Sequence, residues 1–181
     1  NYVHTMNHKG NPDTMAIDPV LSYKVVAHTI PPVESDIITL KPGKHTIVPI
    51  NAGQGKLEIK INSKNNYSFI VRKANETRTL NIQEINKIQK YLTGTYEVEL
   101  LTLPRMYLKD VQIKQNETTS YTIPTPGIAN ILLPSAGYGG VYEYKNDKLE
   151  EVYRFKGIKS QHRLTMLPGS YKVIFKAKSA R

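Results

Sequence analysis

The sequence predicts an all-β protein made of two tandem β-sandwich modules, and three observations carry that expectation. Short runs of alternating apolar and polar residues recur along the 181 residues, separated by turn residues at spacings typical of sandwiches and barrels. One line recurs: LSYKVVAHT at 21–29, LTGTYEVEL at 92–100 and LPGSYKVIF at 167–175. Tyr is abundant (12) while Trp is absent and Phe is rare (3), which suits strands with one wet face, since Tyr carries an apolar ring and a polar rim.

Each copy of the repeated line is a strand, in the later two set behind a turn. Gly94 and Gly169 supply the conformational freedom of a turn, and Pro168 pre-sets a corner. Beyond the turn, Tyr171, Val173 and Phe175 alternate with Lys172, Ile174 and Lys176, and Tyr96, Val98 and Leu100 with Glu97, Glu99 and Leu101. Tyr23, Val25 and Ala27 repeat the pattern. Period-two alternation is the mark of a half-buried strand.

The spacing of these lines defines a repeat. Tyr23 and Tyr96 are 73 residues apart, Tyr96 and Tyr171 are 75 apart, and Asp36 aligns with Asp110 at 74. The expected boundaries are a linker and closing strand of a preceding module over 1–33, a first sandwich over 34–105 and a second over 106–181. Strands are expected near 36–41, 45–50, 56–61, 67–73, 77–82 and 95–101. The second set is expected near 109–114, 119–124, 128–133, 140–145, 149–155, 162–166 and 170–177, with a hairpin turn at Lys145–Lys148. Ile82, Ile85 and Ile88 recur every three residues, so a helical turn is expected within 81–91. TIPPV (29–33) and TLPRMYL (102–108) read as stiff connections between modules.

Composition narrows function. There is no Cys, which excludes disulfides and Cys-based chemistry. No run approaches the 18 or so apolar residues of a membrane span, so none is expected. The net charge of +10 comes from scattered lysines such as Lys41, Lys60, Lys114 and Lys172, as on the wet faces and edges of strands. No basic run interleaves with stacking aromatics, so no nucleic-acid partner is expected.

Catalytic and metal signatures are sparse. His4 and His8 are four apart, but the Asn, Gly and Pro around them oppose the helix that would bring them together. His28 and His45 fall in strand patterns as rim residues. Asp13, Asp18, Asp36 and Asp110 are oxygen ligands of the type calcium uses, but they form no clustered acidic loop. Asp36 and Asp110 read instead as turn or capping residues at equivalent repeat positions. Glu150 and Glu151 are adjacent on a strand and face opposite sides, so they form no acid/base pair. GYGG at 137–140 lacks the context of a phosphate loop, and no nucleophile elbow occurs. No enzyme activity, metal or cofactor is expected. Tyr138, Tyr142, Tyr144 and Tyr153 lie in or beside one expected hairpin, where exposed rings stack on sugars and buried ones fill a core. The sequons at Asn66, Asn75 and Asn116 read as polar turns.

The stretches NHKGNPDTMAIDPVLSYKVVAHTIPPVESDIITLKPGKHTIV (7–48), YEVELLTLPRMYLKDVQIKQNETTSYTIPTPG (96–127) and LPGSYKVIFKAKSAR (167–181) carry a resemblance. They resemble the C-terminal β-repeat region of secreted Bacteroidetes proteins with an N-terminal von Willebrand factor A-type domain. The Asp-x-Ser-x-Ser metal motif of that domain does not occur here, so no metal site transfers. The resemblance implies the downstream part of such a protein, secreted, periplasmic or on the bacterial surface. A turn Gly followed by Tyr-x-Val also resembles carboxypeptidase-regulatory-like and other transthyretin-like modules, so the sandwiches are expected to be immunoglobulin-like or transthyretin-like. The expected function is a non-enzymatic structural and interaction stalk. It would space an A-type domain in the same polypeptide and meet an extracellular protein at exposed strand edges. The alternative is a carbohydrate-binding module acting through Tyr138, Tyr142, Tyr144 and Tyr153.

Overall fold

The computed structural model describes residues 3–6 and 14–178; His8 and Asp13 lie outside the described residues. The chain forms two units, Asn1–His28 with Pro32–Asn51, and Thr29–Pro31 with Ala52–Arg181. The fold is all-β, and no helix forms among the described residues.

Among its described residues the first unit holds four two-residue strands: β1 (Ser22–Tyr23), β2 (Val26–Ala27), β3 (Val33–Glu34) and β4 (Ile38–Thr39). β1 pairs with β4 and β2 with β3, both antiparallel. Lys41–Lys44 then turn, with Gly43 at φ 67° and the Lys44 N–H donating to the Lys41 carbonyl at 3.1 Å.

In the second unit, seven strands form two facing sheets. They are β5 (Gln54–Ile61), β6 (Ser68–Lys73), β7 (Thr79–Glu84), β8 (Ile88–Leu92), β9 (Gly94–Leu100), β10 (Met106–Ile113) and β11 (Thr118–Ile123). One sheet runs β10-β9-β6-β7 and the other β11-β5-β8. All pairs are antiparallel except β11 on β5, which is parallel. Alternation along each strand sends one set of side chains inward. Leu57, Ile59, Phe69, Val71, Tyr91, Val98, Leu100 and Val111 are sealed from solvent in one shared core, as in a β-sandwich.

The remaining five strands are β12 (Gly127–Leu132), β13 (Gly137–Lys145), β14 (Lys148–Arg154), β15 (Gln161–Met166) and β16 (Tyr171–Ala177). β12 pairs with β15, and β14-β13-β16 form a three-stranded sheet. A second, smaller core gathers Val141, Phe155, Leu164 and Met166. Between β13 and β14, Asn146 and Asp147 sit at φ 52° and 59°, the left-handed pair that a tight hairpin turn requires.

The pairing pattern recurs. β5-β8 corresponds to β12-β15, β6-β7 to β13-β14 and β6-β9 to β13-β16. The bulge between Val71 and Arg72 reappears between Val141 and Tyr142. The β9-β10 ladder is matched in the first unit: Leu100↔Met106, Glu99↔Tyr107, Tyr96↔Val111 and Thr95↔Gln112 correspond to Ala27↔Val33, Val26↔Glu34, Tyr23↔Ile38 and Ser22↔Thr39.

Three expectations are corrected. The stretch 81–91 is strand, turn and strand: Ile82 and Ile88 are exposed and Ile85 is buried in the turn, so their three-residue spacing marks no helical face. Asn86 holds that turn at φ 65° and bonds both the N–H and the carbonyl of Ile61 through its amide, at 3.0 and 3.1 Å. Residues 45–50 join no ladder. By pairing register, Asp36 corresponds to Lys109 and not to Asp110, which sits at φ 55° in the β10 bulge. The strands over 106–123 pair with β9 and β5, and the sheets change partners after Ile123.

Gly55 and Gly127 hold matching positions on β5 and β12 but differ in surroundings. A Cβ at 55 would overlap the Lys114 carbonyl and the Ile113 side chain; a Cβ at 127 would meet nothing within 4 Å. Gly55→Ala is therefore expected to cost about 1–3 kcal/mol by overpacking, while Gly127→Ala stays within about 0.5 kcal/mol. Chemical denaturation of the two variants checks this difference.

Candidate functional site

The four tyrosines singled out from sequence do not converge. On β13, Val141 points into the smaller core, so Tyr138, Tyr142 and Tyr144 share the opposite, outer face. Tyr138 is 57% and Tyr144 52% exposed. The Tyr142 hydroxyl donates to Glu151 at 3.2 Å, and that carboxylate also takes two bonds from Arg154, at 2.8 and 3.1 Å. Arg154 holds the Glu151 carboxyl below its ordinary range. The Tyr144 hydroxyl donates to Asp147 across the hairpin turn at 3.0 Å. Tyr153 lies on the inner face: its ring meets Phe155 and His162 at centroid distances of 6.1 and 5.7 Å.

His162 is a buried residue that the sequence reading left without a role. It alternates inward with Leu164 and Met166 on β15, a period-two signal that was available. Its ring lies 4.6 Å from that of Phe155, with Nδ1 against the Tyr153 hydroxyl and Nε2 against the Lys159 carbonyl. His4, His28 and His45 are all exposed. Asp18 serves a turn: its carboxylate accepts from the Val20 N–H at 2.9 Å, and its carbonyl accepts from the Tyr23 hydroxyl at 2.8 Å. No group of three or more His, Cys, Asp or Glu side chains is arranged to hold a metal among the described residues.

The site the structure does build is the connection between the two cores of the second unit. After β9, Thr102 turns its hydroxyl onto the Pro104 carbonyl at 2.6 Å. The Leu103 carbonyl then accepts the Leu167 N–H at 2.7 Å. Leu167 is held in turn, because the Tyr171 hydroxyl donates to its carbonyl at 2.7 Å. Leu103 packs on the smaller core while Leu167 is buried in the larger one, so the two side chains are exchanged across the connection. At Gly169 a Cβ would make a tight contact, 3.0 Å from the Tyr171 hydroxyl oxygen, as the ring folds back.

The same arrangement occurs one repeat earlier. Thr29 donates to the Pro31 carbonyl at 2.6 Å, the Leu92 N–H donates to the Ile30 carbonyl at 2.8 Å, and the Tyr96 hydroxyl donates to the Leu92 carbonyl at 2.8 Å. Burial, with a smaller push from Tyr91, raises the Tyr96 hydroxyl to about 12; burial and then Glu143 raise that of Tyr171. Both remain protonated donors at neutral pH.

Next to the connection, Glu99 is buried on the outer face of β9 and is reached by Arg72 from β6 at 2.8 Å and by Arg105, just past Pro104. Burial pushes its carboxyl up, but hydrogen bonds from Arg72 and Arg105 and their charges outweigh that and leave it below the ordinary 4.5. The group ties β9, β6 and the connection together.

Comparison with protein-family models, curated proteins and solved structures finds no match to this chain. The class of protein is therefore defined by the fold, an all-β chain of several sheets. No helix among the described residues is long and apolar enough to cross a membrane.

The Glu99 cluster sets a pH dependence. A carboxyl whose folded value is depressed binds more protons when unfolded, so its stabilisation is present above the ordinary value of 4.5 and is lost as pH falls below it. Glu99→Gln is expected to cost about 1–3 kcal/mol at pH 7, less than a fully buried pair because Arg105 reaches solvent. Its deficit relative to the native chain should shrink as pH falls below 4, as melting curves at several pH values would record.

Proposed function

We propose that this chain is a non-enzymatic structural and interaction stalk: two tandem sandwich modules of immunoglobulin-like or transthyretin-like type. They would belong to a secreted or surface-attached bacterial protein and space a von Willebrand factor A-type domain in the same polypeptide. The observation that carries the proposal is the hydrogen-bonded connection. A spacer has to hold its parts at a fixed distance, and a free linker of a few residues does not. Here the segment between repeats is bonded to itself through Thr102 and to the next repeat through the Leu103 carbonyl, with the Tyr171 hydroxyl holding Leu167, the residue that donates to it. The recurrence of that set at Thr29, Leu92 and Tyr96 supports a built device.

The second reading is carbohydrate binding at the β13 face. It is favoured by the exposure of Tyr138 and Tyr144 on one side of one strand, since exposed rings stack on sugar faces. Against it, the hydroxyls of Tyr142 and Tyr144 already serve neighbouring carboxylates, and Tyr153 faces the core.

Small-angle X-ray scattering of the whole chain tests the spacer reading. The profile is expected to fit one fixed arrangement of residues 52–178 at both low and high salt. Replacing Tyr171 with Phe removes one donor, is expected to cost about 1 kcal/mol, and should broaden the distance distribution. A native profile that demands many arrangements of the two cores would overturn the spacer. Specific retention on a glycan array, lost in a folded Tyr138→Ala/Tyr144→Ala variant, would install the carbohydrate reading in its place.

A further inference from the structure

The recurrence of the sheet pattern leaves one edge unfilled and one strand unused. β5 lies between β8 and β11, whereas β12, its counterpart, pairs with β15 alone among the described residues. Beside the free edge is an open cleft of about 330 Å³, lined by Gly127, Ile128, Leu167, Gly169 and Tyr171 among others. The inner face shows what is missing: Val98 on β9 is 1% exposed, and its counterpart Val173 on β16 is 44% exposed. Gly127 is the most specific sign. Its counterpart Gly55 must lack a side chain because the Lys114 carbonyl lies against it, yet nothing lies against Gly127.

The unused strand is in the first unit. Residues 38–50 correspond by register to 111–123, the segment that forms the end of β10, the turn and β11. The turns match in detail: Gly43 at φ 67° stands where Asn116 has φ 60°, and the Lys44 to Lys41 bond repeats that of Glu117 to Lys114, at 3.1 and 3.2 Å. Residues 45–50, the counterpart of β11, make no ladder, and Ile47 is 90% exposed.

We propose that the β12 edge binds residues 44–50 of a second copy of this chain, in parallel and in the register of β11 on β5. Thr118↔Lys56 through Ile123↔Ile61 translate into His45↔Ile128 through Ile50↔Leu133. Thr46, Val48 and Ile50 then point inward beside Ala129, Ile131 and Leu133, as Thr119, Tyr121 and Ile123 do beside Leu57, Ile59 and Ile61. In a parallel ladder alternate residues of one strand face the partner. Glu117 faces β5, since its carbonyl accepts the Lys56 N–H at 2.8 Å. Lys44, Thr46, Val48 and Ile50 inherit that side, and Pro49 turns its missing N–H outward, the one place where an edge strand tolerates proline. The donor and the acceptor lie in different parts of the chain, so the contact is head-to-tail and open-ended. This inference rests on pairing register and stands whether or not the chain is a spacer.

Two variants of the whole chain test it by sedimentation velocity between about 5 and 500 µM. Gly127→Ala puts a Cβ in the place of the docked Lys41 carbonyl, and that Cβ meets nothing in the single chain, so it should block the acceptor alone. Val48→Pro removes an N–H aimed at β12 and should block the donor alone. The native chain is expected to form concentration-dependent oligomers, each variant to remain monomeric, and their equimolar mixture to stop at a dimer, because one intact donor and one intact acceptor survive. Circular dichroism melts matching the native chain certify both variants as folded. A native chain that stays monomeric throughout overturns the proposal. So does association by either variant at the native level, which would place the contact elsewhere, and so does a mixture that never dimerises.

Discussion

A two-sheet β protein keeps its core dry only where every inner-facing strand has neighbours on both sides and a sheet above it. That constraint organises this molecule. In the larger core, β10 and β11 cover the edges of β9 and β5, and Tyr96, Val98 and Leu100 are sealed at 2% exposure or less. In the smaller one, β16 and β12 carry the same inward alternation without such covers among the described residues, and the core there falls to four buried residues. A Val left nearly half exposed forgoes roughly 1 kcal/mol of burial, so the difference between the two cores is energetic as well as geometric.

The tie between the cores follows from the same logic. A chain leaving β9 must cross to the next sheet pair without stranding backbone groups. The Leu103 carbonyl is used by Leu167, and the Leu167 carbonyl by the Tyr171 hydroxyl. Tyr therefore heads the repeated line for a chemical reason. Phe would fill the same space but leave that carbonyl unserved. Glu99, with its two arginines, secures the outer face at the same junction.

Much of this was legible in the sequence. Alternation located most strands to within a few residues, because side-chain period follows directly from strand geometry, and the Tyr spacing exposed the repeat. Pairing was not legible. Residues 106–123 alternate as any strand does, and nothing in their own composition says that β10 returns to β9 and β11 to β5. The closing line looked like an end because Pro104 follows it, yet the sheet continues past that proline. The isoleucines at 82, 85 and 88 misled for a related reason: one lies in a turn and two lie on wet faces, so spacing without burial carried no information. Of the tyrosines, the two-residue spacing of Tyr142 and Tyr144 puts both on one face, but nothing in the sequence tells that Tyr153, across the ladder from Val141, enters the core.

The outer faces of the two corresponding strands show where the repeats have diverged. β5 presents Lys56 and Lys60 to solvent, and Lys60 pairs with Glu58 at 3.0 Å. At the matching positions β12 presents Ile128 and Leu132, which are 56% and 73% exposed. Lysine on an outer face keeps a sheet from adhering to its neighbours, and β5, already covered by β11, carries that protection. Among the described residues β12 has a free edge and an apolar outer face together, the combination that soluble β proteins usually avoid. Two repeats can therefore share a ladder register, a bulge and a hydroxyl-locked connection and still differ in surface character. The alternation that builds the sheet constrains only the inward half of each strand, and the outward half is free to be charged in one copy and adhesive in the next.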